Sequence, residues 1–127
     1  MDTYTKEAEI SEYEHHKLFS ESGINVPDIA SYDEERKQLS TVLIIGTVVS
    51  DSRYSKNQSR DVCLKLITQV EKLHKLGYLH GDLNPSNVVI SDNKEVYLID
   101  FEFPSEIGAN AITEDAQPFL YIQKRGR

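Results

Sequence analysis

A chain of 127 residues has room for one small domain, and with 39% hydrophobic and 28% charged residues it can collapse around a core, which excludes wholesale disorder. Its 14 Lys plus Arg against 21 Asp plus Glu leave a formal charge of −7, which argues against non-specific attachment to nucleic acid or an anionic membrane. The single cysteine, Cys63, rules out an intrachain disulfide framework and a Cys-based zinc finger. No apolar run approaches the ~20 residues a bilayer span needs, and the acidic start lacks the basic-then-apolar pattern of a secretion signal. The expectation is a soluble unit of the cytosol or nucleus.

In chain order, residues 3–22 favour a helix, with Ala8, Ile10, Tyr13, Leu18 and Phe19 making an irregular apolar face and Gly23 stopping it. Residues 24–29 read as a short extended piece, since the residue before Pro27 is pushed out of the helical region. The acidic stretch 32–37 reads as a solvated turn. Residues 39–49, with Val42-Leu43-Ile44-Ile45 at their centre and Gly46 interrupting them, read as a buried strand. After a polar loop at 50–59, Ser59 or Asp61 caps a helix over 61–76, whose Cys63, Leu66, Ile67, Val70 and Leu73 recur at offsets of three and four. Gly77 follows as its stop. Val88-Val89-Ile90 and Val96-Tyr97-Leu98-Ile99, joined by Ser91-Asp92-Asn93-Lys94-Glu95, have the pattern of a β-hairpin. The tail from Pro104 has no period, and its basic end reads as a frayed terminus.

The chemistry lies on either side of that hairpin. A hairpin returns its chain to where it began, so Asn87 before one strand and Asp100 after the other lie close together. An amide oxygen and a carboxylate are hard donors that suit Mg²⁺, an ion that keeps waters and takes further ligands from substrate phosphates. Asp82, on the loop leading to Asn87, supplies a third oxygen, placed to orient or deprotonate an attacking hydroxyl.

His80-Gly81-Asp82-Leu83-x-x-x-Asn87, an apolar hairpin and Asp100-Phe101 together resemble the catalytic segment of the protein-kinase-like superfamily. The His-Gly-Asp form is similar to that of aminoglycoside phosphotransferases, RIO kinases, the small kinase of the KEOPS complex and fungal kinase-like proteins. The resemblance implies an α/β, partial kinase-like fold, with residues 1–49 a partial small lobe and 50–127 a partial large lobe. It implies ATP and Mg²⁺ as cofactors, Asp82 as catalytic base, and Asn87 and Asp100 as metal ligands. The first helix would carry the glutamate that pairs with an ATP-holding lysine; Glu9 and Glu12 both qualify and share a helix face. Backbone groups near Gly46 and Val48 would meet the adenine.

The sequence also departs from that family. No glycine-rich loop and no strand lysine are expected ahead of the first helix, so the triphosphate would meet Asp82 and Asp100 with no cationic side chain beside them. Gly81 replaces the arginine that grips a phosphorylated activation loop, Asn84 stands where a lysine is usual, and too few residues follow Glu102 for the remaining large-lobe helices. His80 reads as a buried hydrogen-bonding residue and Phe101 as core, Cys63 as a small core residue, and His15-His16 as unable to share a metal, since helix neighbours point apart. Two functions stay open. One is a phosphotransferase acting on a protein serine or threonine, or on a small-molecule hydroxyl. The other is a weak or inactive truncated module that binds nucleotide or a partner chain completing its fold.

Overall fold

The computed structural model describes residues 2–51, 55–80 and 83–100, with the backbone of 105–106. Among the described residues, eight strands form three sheets and two α-helices interrupt their order, one after the first strand and one after the fourth. The first sheet is formed by β1 (Thr3–Glu7), β2 (Ile29–Asp33) and β3 (Gln38–Val42) in the order β1-β3-β2, all antiparallel. Helix α1 (Ile10–Glu21) connects β1 to β2.

The expected helix over 3–22 is thus corrected to a strand followed by a shorter helix. Thr3-Tyr4-Thr5 are β-branched and aromatic residues that fit a pleated surface, and β1 finds a full-length partner in β3, with Thr3 opposite Val42 and Glu7 opposite Gln38. Glu9 sits extended at the start of α1 (ψ 161°), and the Ala8 N–H is taken by the Lys37 carbonyl at 2.8 Å. The helix is held against the sheet by Tyr13, whose ring stacks on Tyr32 at 4.6 Å, while the Tyr32 hydroxyl donates to the Ala8 carbonyl.

The apolar run expected as one strand over 39–49 divides between two sheets. Its first part is β3. Its second, β4 (Gly46–Val48), pairs with β6 (Val88–Ser91), which pairs in turn with β7 (Val96–Leu98). Residues 43–45 bridge the sheets, and Gly46 allows β4 to come close to β6: a Cβ there would lie 2.2 Å from the Ile90 carbonyl oxygen. The strand β2 straddles the end of the expected extended piece at 24–29 and the start of the expected turn at 32–37, and three of its five residues are exposed and give no burial signal.

Helix α2 (Lys56–Lys75) begins five residues before the expected start at 61. Its cap is Ser55, whose Oγ accepts from the Gln58 N–H while the Gln58 side chain accepts from the Ser55 N–H, a reciprocal capping box. Gly77, at φ +97°, ends it. Val62, Leu66, Val70 and Leu73 are buried, whereas Ile67, expected in the stripe, is 39% exposed. The core packs α2 and the end of α1 against the second sheet, through Phe19, Leu66, Leu73, Val88, Val96 and Leu98. The segment 24–26 is clasped within it: the Asn25 N–H donates to Gln69 Oε1 at 2.7 Å and the Asn25 carbonyl accepts from the Leu98 N–H at 2.9 Å. Short strands β5 (Tyr78–Leu79) and β8 (Ser105–Glu106), neither foreseen, form the third sheet.

Candidate active site

The hairpin β6–β7 does what its pattern required. Val88 lies opposite Leu98, and the Ile99 N–H donates to the Asn87 carbonyl at 3.0 Å, so Asn87 and Asp100 stand side by side at one end of the hairpin. Asn87 is buried, closing the 3₁₀ turn Pro85–Asn87 that the Asn84 side chain caps by accepting from the Ser86 N–H. His80 is fully buried with Nε2 2.6 Å from the Ile99 carbonyl, a bond that fixes the backbone just before Asp100. Asp100 adopts φ +58°, a left-handed conformation uncommon outside glycine. Such conformations persist where the surroundings over-determine them, and the bonds from Asn87 and His80 to Ile99 do that here. Gly81, Asp82, Phe101 and Glu102 lie outside the described residues.

Across from Asp100 stands a residue that the sequence did not reveal. Successive strand residues point to opposite faces, so Tyr4 and Lys6 of β1 share one, together with Thr41 and Leu39 directly across the ladder. The Lys6 ammonium lies 2.6 Å from Glu12 Oε2 and 3.8 Å from Asp100 Oδ1. Lys6 and Glu12 are largely shielded, with side chains 15% and 12% exposed, while Asp100 is 45% exposed. Glu9, the other candidate, instead pairs with Lys37 at 3.1 Å on the surface. The expectation of no strand lysine is therefore corrected, and so is that of no cation beside Asp100. The signal that was there is the Thr-Tyr-Thr run just before Lys6, followed by a break at Ala8-Glu9.

These side chains line a cavity of about 370 Å³ between the two larger sheets, within the size range of small-molecule sites. Tyr4, Leu39 and Thr41 line it from the first sheet, Val48 and Val89 from the second with Ile99 just past β7, and Lys6, Glu12 and Asp100 add its charged groups. Gly46 and Val48 reach it from β4, and Ile44 from the bridge between sheets. Among the described residues, neither the N–H nor the C=O of Ile44 makes a hydrogen bond, so this residue joins Gly46 and Val48 as a backbone candidate for reading a ligand edge.

His16, one turn after Glu12, also reaches the cavity; it is buried, with Nε2 2.6 Å from the Pro27 carbonyl. Burial lowers its pKa from 6.5, outweighing that hydrogen bond and the nearby Glu12 and Asp28 carboxylates, which raise it; Lys6 lowers it further. A folded-state pKa below the unfolded value means that His16 contributes stability present above about pH 6.5 and lost as pH falls through the lowered value. Thermal melts should therefore lose more stability between pH 7.5 and 5.5 in the wild type than in His16→Gln. Equal losses would remove His16 from the acid response.

Residues 2–126 match the ABC1 atypical kinase-like domain. Among curated proteins, the KEOPS complex subunit Bud32 of Pyrococcus abyssi is 31% identical over 112 residues, 84% of this chain and 50% of that protein. The RIO-type serine/threonine-protein kinase Rio2 of Methanocaldococcus jannaschii is 36% identical over 67 residues, 46% of this chain and 25% of its own length. The chain thus spans half of the first relative and a quarter of the second. Among solved structures, the Cydia pomonella granulovirus kinase PK-1 superposes with a TM-score of 0.68 at 15% identity, covering 84% of this chain and 43% of the kinase. That likeness establishes a partial kinase-like fold. Among the described residues no helix is long and apolar enough to cross a membrane.

Proposed function

The chain belongs to the ABC1 atypical kinase-like family, and from that premise we propose that it is an ATP- and Mg²⁺-dependent phosphotransferase, passing the γ-phosphoryl group to a hydroxyl, with a protein serine or threonine as acceptor. The observation that carries this reading is the Lys6–Glu12–Asp100 cluster on the lining of a largely apolar slot. The slot takes the base, and the Lys6 ammonium, oriented by Glu12, takes the phosphates. Asn87 and Asp100 are the hard oxygen donors that suit Mg²⁺. When bound with ATP, the ion would draw charge from the phosphate oxygens. Asp82 receives or orients the acceptor's hydroxyl proton. In this reading residues 1–49 are the small-lobe portion and 50–127 the large-lobe portion.

In a second reading the chain binds nucleotide without efficient turnover, or acts together with a partner chain. A relative described as a subunit of the KEOPS complex supports a protein partner in either reading.

Lys6, Glu12 and Asp100 together carry one net negative charge, so an incoming triphosphate still meets an anion there. ATP should bind at least about tenfold more tightly with Mg²⁺ than in EDTA, a gap of about 1.4 kcal/mol. Calorimetric titration reads it directly. Equal affinity in EDTA would overturn the assignment of Asn87 and Asp100 to the metal.

A further inference from the structure

We propose that a second depression, bordered by the bridge at residues 43–45, docks a segment of a partner protein that carries Lys or Arg beside Leu, Ile or Val. The inference does not depend on what fills the first cavity, because the residues that decide it, Asp28, Ile45 and Asp92, line the depression and not that cavity.

The depression measures about 420 Å³ and is lined from the segment before β2, the bridge, the β6–β7 turn and β7. Pro27, Leu43, Ile45 and Tyr97 give it an apolar lining. Leu43 and Ile45 are 51% and 74% exposed, and Ile45 is the most exposed large apolar side chain of the described residues. Their backbone is tied at both ends of the bridge: the Leu43 N–H donates to the Asp2 carbonyl at 3.0 Å, and the Ile45 carbonyl accepts from the Asp92 N–H at 2.9 Å. Two large aliphatic side chains are thus fixed at the surface beside a proline and a tyrosine. Contiguous exposed apolar groups with a polar border mark an interaction surface.

The polar border decides the kind of partner. Asp28 and Asp92 line the depression, and no Lys or Arg does. Among the described residues neither carboxylate makes an ion pair, whereas Glu95 of the same turn has Lys65 at 3.9 Å. His16, whose charged form Asp28 favours, is held neutral near pH 7 by burial and does not offset it. Two uncompensated carboxylates on a chain of net charge −7 repel nucleic acid and anionic lipid. They attract a cationic side chain. The apolar contact then supplies affinity, and the charges supply the choice of partner and the speed of encounter. Val42, Leu43 and Ile44 line this depression and the first cavity alike, so the partner rests against backbone that also borders the slot.

The test follows, by fluorescence anisotropy with the full chain, the binding of a short labelled peptide of alternating Leu and Arg, beside Leu–Glu and Ser–Arg peptides of the same length. The wild type is compared with Ile45→Ser, with Asp28→Asn/Asp92→Asn, and with Glu34→Gln/Glu35→Gln, which removes two exposed charges elsewhere; each is first shown by circular dichroism to be folded. The Leu–Arg peptide should bind the wild type at least about tenfold more tightly than either control peptide. Losing the aliphatic contact in Ile45→Ser should weaken it about 10- to 100-fold, and Asp28→Asn/Asp92→Asn about 3- to 30-fold. Glu34→Gln/Glu35→Gln should bind as the wild type does. Failure of the wild type to bind the Leu–Arg peptide would overturn the proposal. So would an equal loss in Glu34→Gln/Glu35→Gln, which would show general attraction to an acidic chain, or equal binding of the Ser–Arg peptide. Dimerisation of the wild type that Ile45→Ser abolishes would give the depression to a second copy and overturn the partner.

Discussion

Lys6→Met should reduce phosphoryl transfer by about 10²–10³-fold, the usual loss when a preorganised charge-stabilising donor is removed from a reacting centre. The side chain keeps its length and loses its charge. ATP should also bind more weakly, because the remaining Glu12 and Asp100 carboxylates face the triphosphate uncompensated. A stability loss accompanies it: Glu12, 12% exposed, would keep its charge without a partner at 2.6 Å. Breaking a fully buried pair costs about 3–5 kcal/mol, and the partial exposure here lowers the expectation to roughly 1–3 kcal/mol. The double variant Lys6→Met/Glu12→Gln separates the two effects. It should recover much of the lost stability, since the stranded carboxylate is gone, and none of the turnover. If Lys6→Met alone kept wild-type turnover, the cation would have no part in the chemistry.

The second large effect is steric. In Gly46→Ala the new methyl would lie 2.2 Å from the Ile90 carbonyl oxygen and 2.7 Å from the Ser91 Cα, both backbone atoms of β6 that cannot swing away as a side-chain tip would. Strands β4 and β6 must move apart, and with them the side of the cavity that Val48 and Val89 line. Overpacking typically costs about 1–3 kcal/mol; a clash between two backbones belongs at the upper end. For a chain of this size that corresponds to a fall in melting temperature of about 10 °C. ATP affinity should fall too, since Gly46, Val48 and Val89 all line the cavity. A melting temperature within about 2 °C of wild type would show that the strand pair opens freely at this point.

How much of this was legible in the sequence depended on what each face touches. The α2 stripe and the β6–β7 hairpin were readable because their apolar residues pack into one core, through Leu66, Leu73, Val88 and Leu98. Strand β1 was not. Its inward face, Tyr4 and Lys6, looks into a cavity, so it has no apolar alternation. Residues 3–9 then read as the first turns of a helix over 3–22, when they form the strand and the approach to α1. The passage from β3 to β4 was hidden for the opposite reason: apolar residues resume at Val48-Val49 after the break at Gly46-Thr47, so 39–49 read as one strand, while the chain changes sheets in its middle.

The site divides in the same way. Hairpin geometry was enough to bring Asn87 and Asp100 together, and the structure has them side by side through the Ile99–Asn87 bond. Between Glu9 and Glu12 the sequence had no means of choosing, because both share a helix face and their difference lies in what stands opposite. That is Lys37 at the surface for one and Lys6 in the cavity for the other. Once Lys6 went unrecognised, the site seemed short of positive charge. The structure supplies that charge from a strand whose sequence carries no core signature.

The most direct test of the central claim is transfer of labelled γ-phosphate from Mg²⁺·ATP to a protein acceptor by the full chain, beside Lys6→Met and Asp100→Asn. The account predicts transfer by the wild type, and its loss in both variants although they remain folded. A folded wild type that binds Mg²⁺·ATP and transfers no more phosphate than the variants would contradict it, and would identify the chain as a nucleotide-binding module of its family.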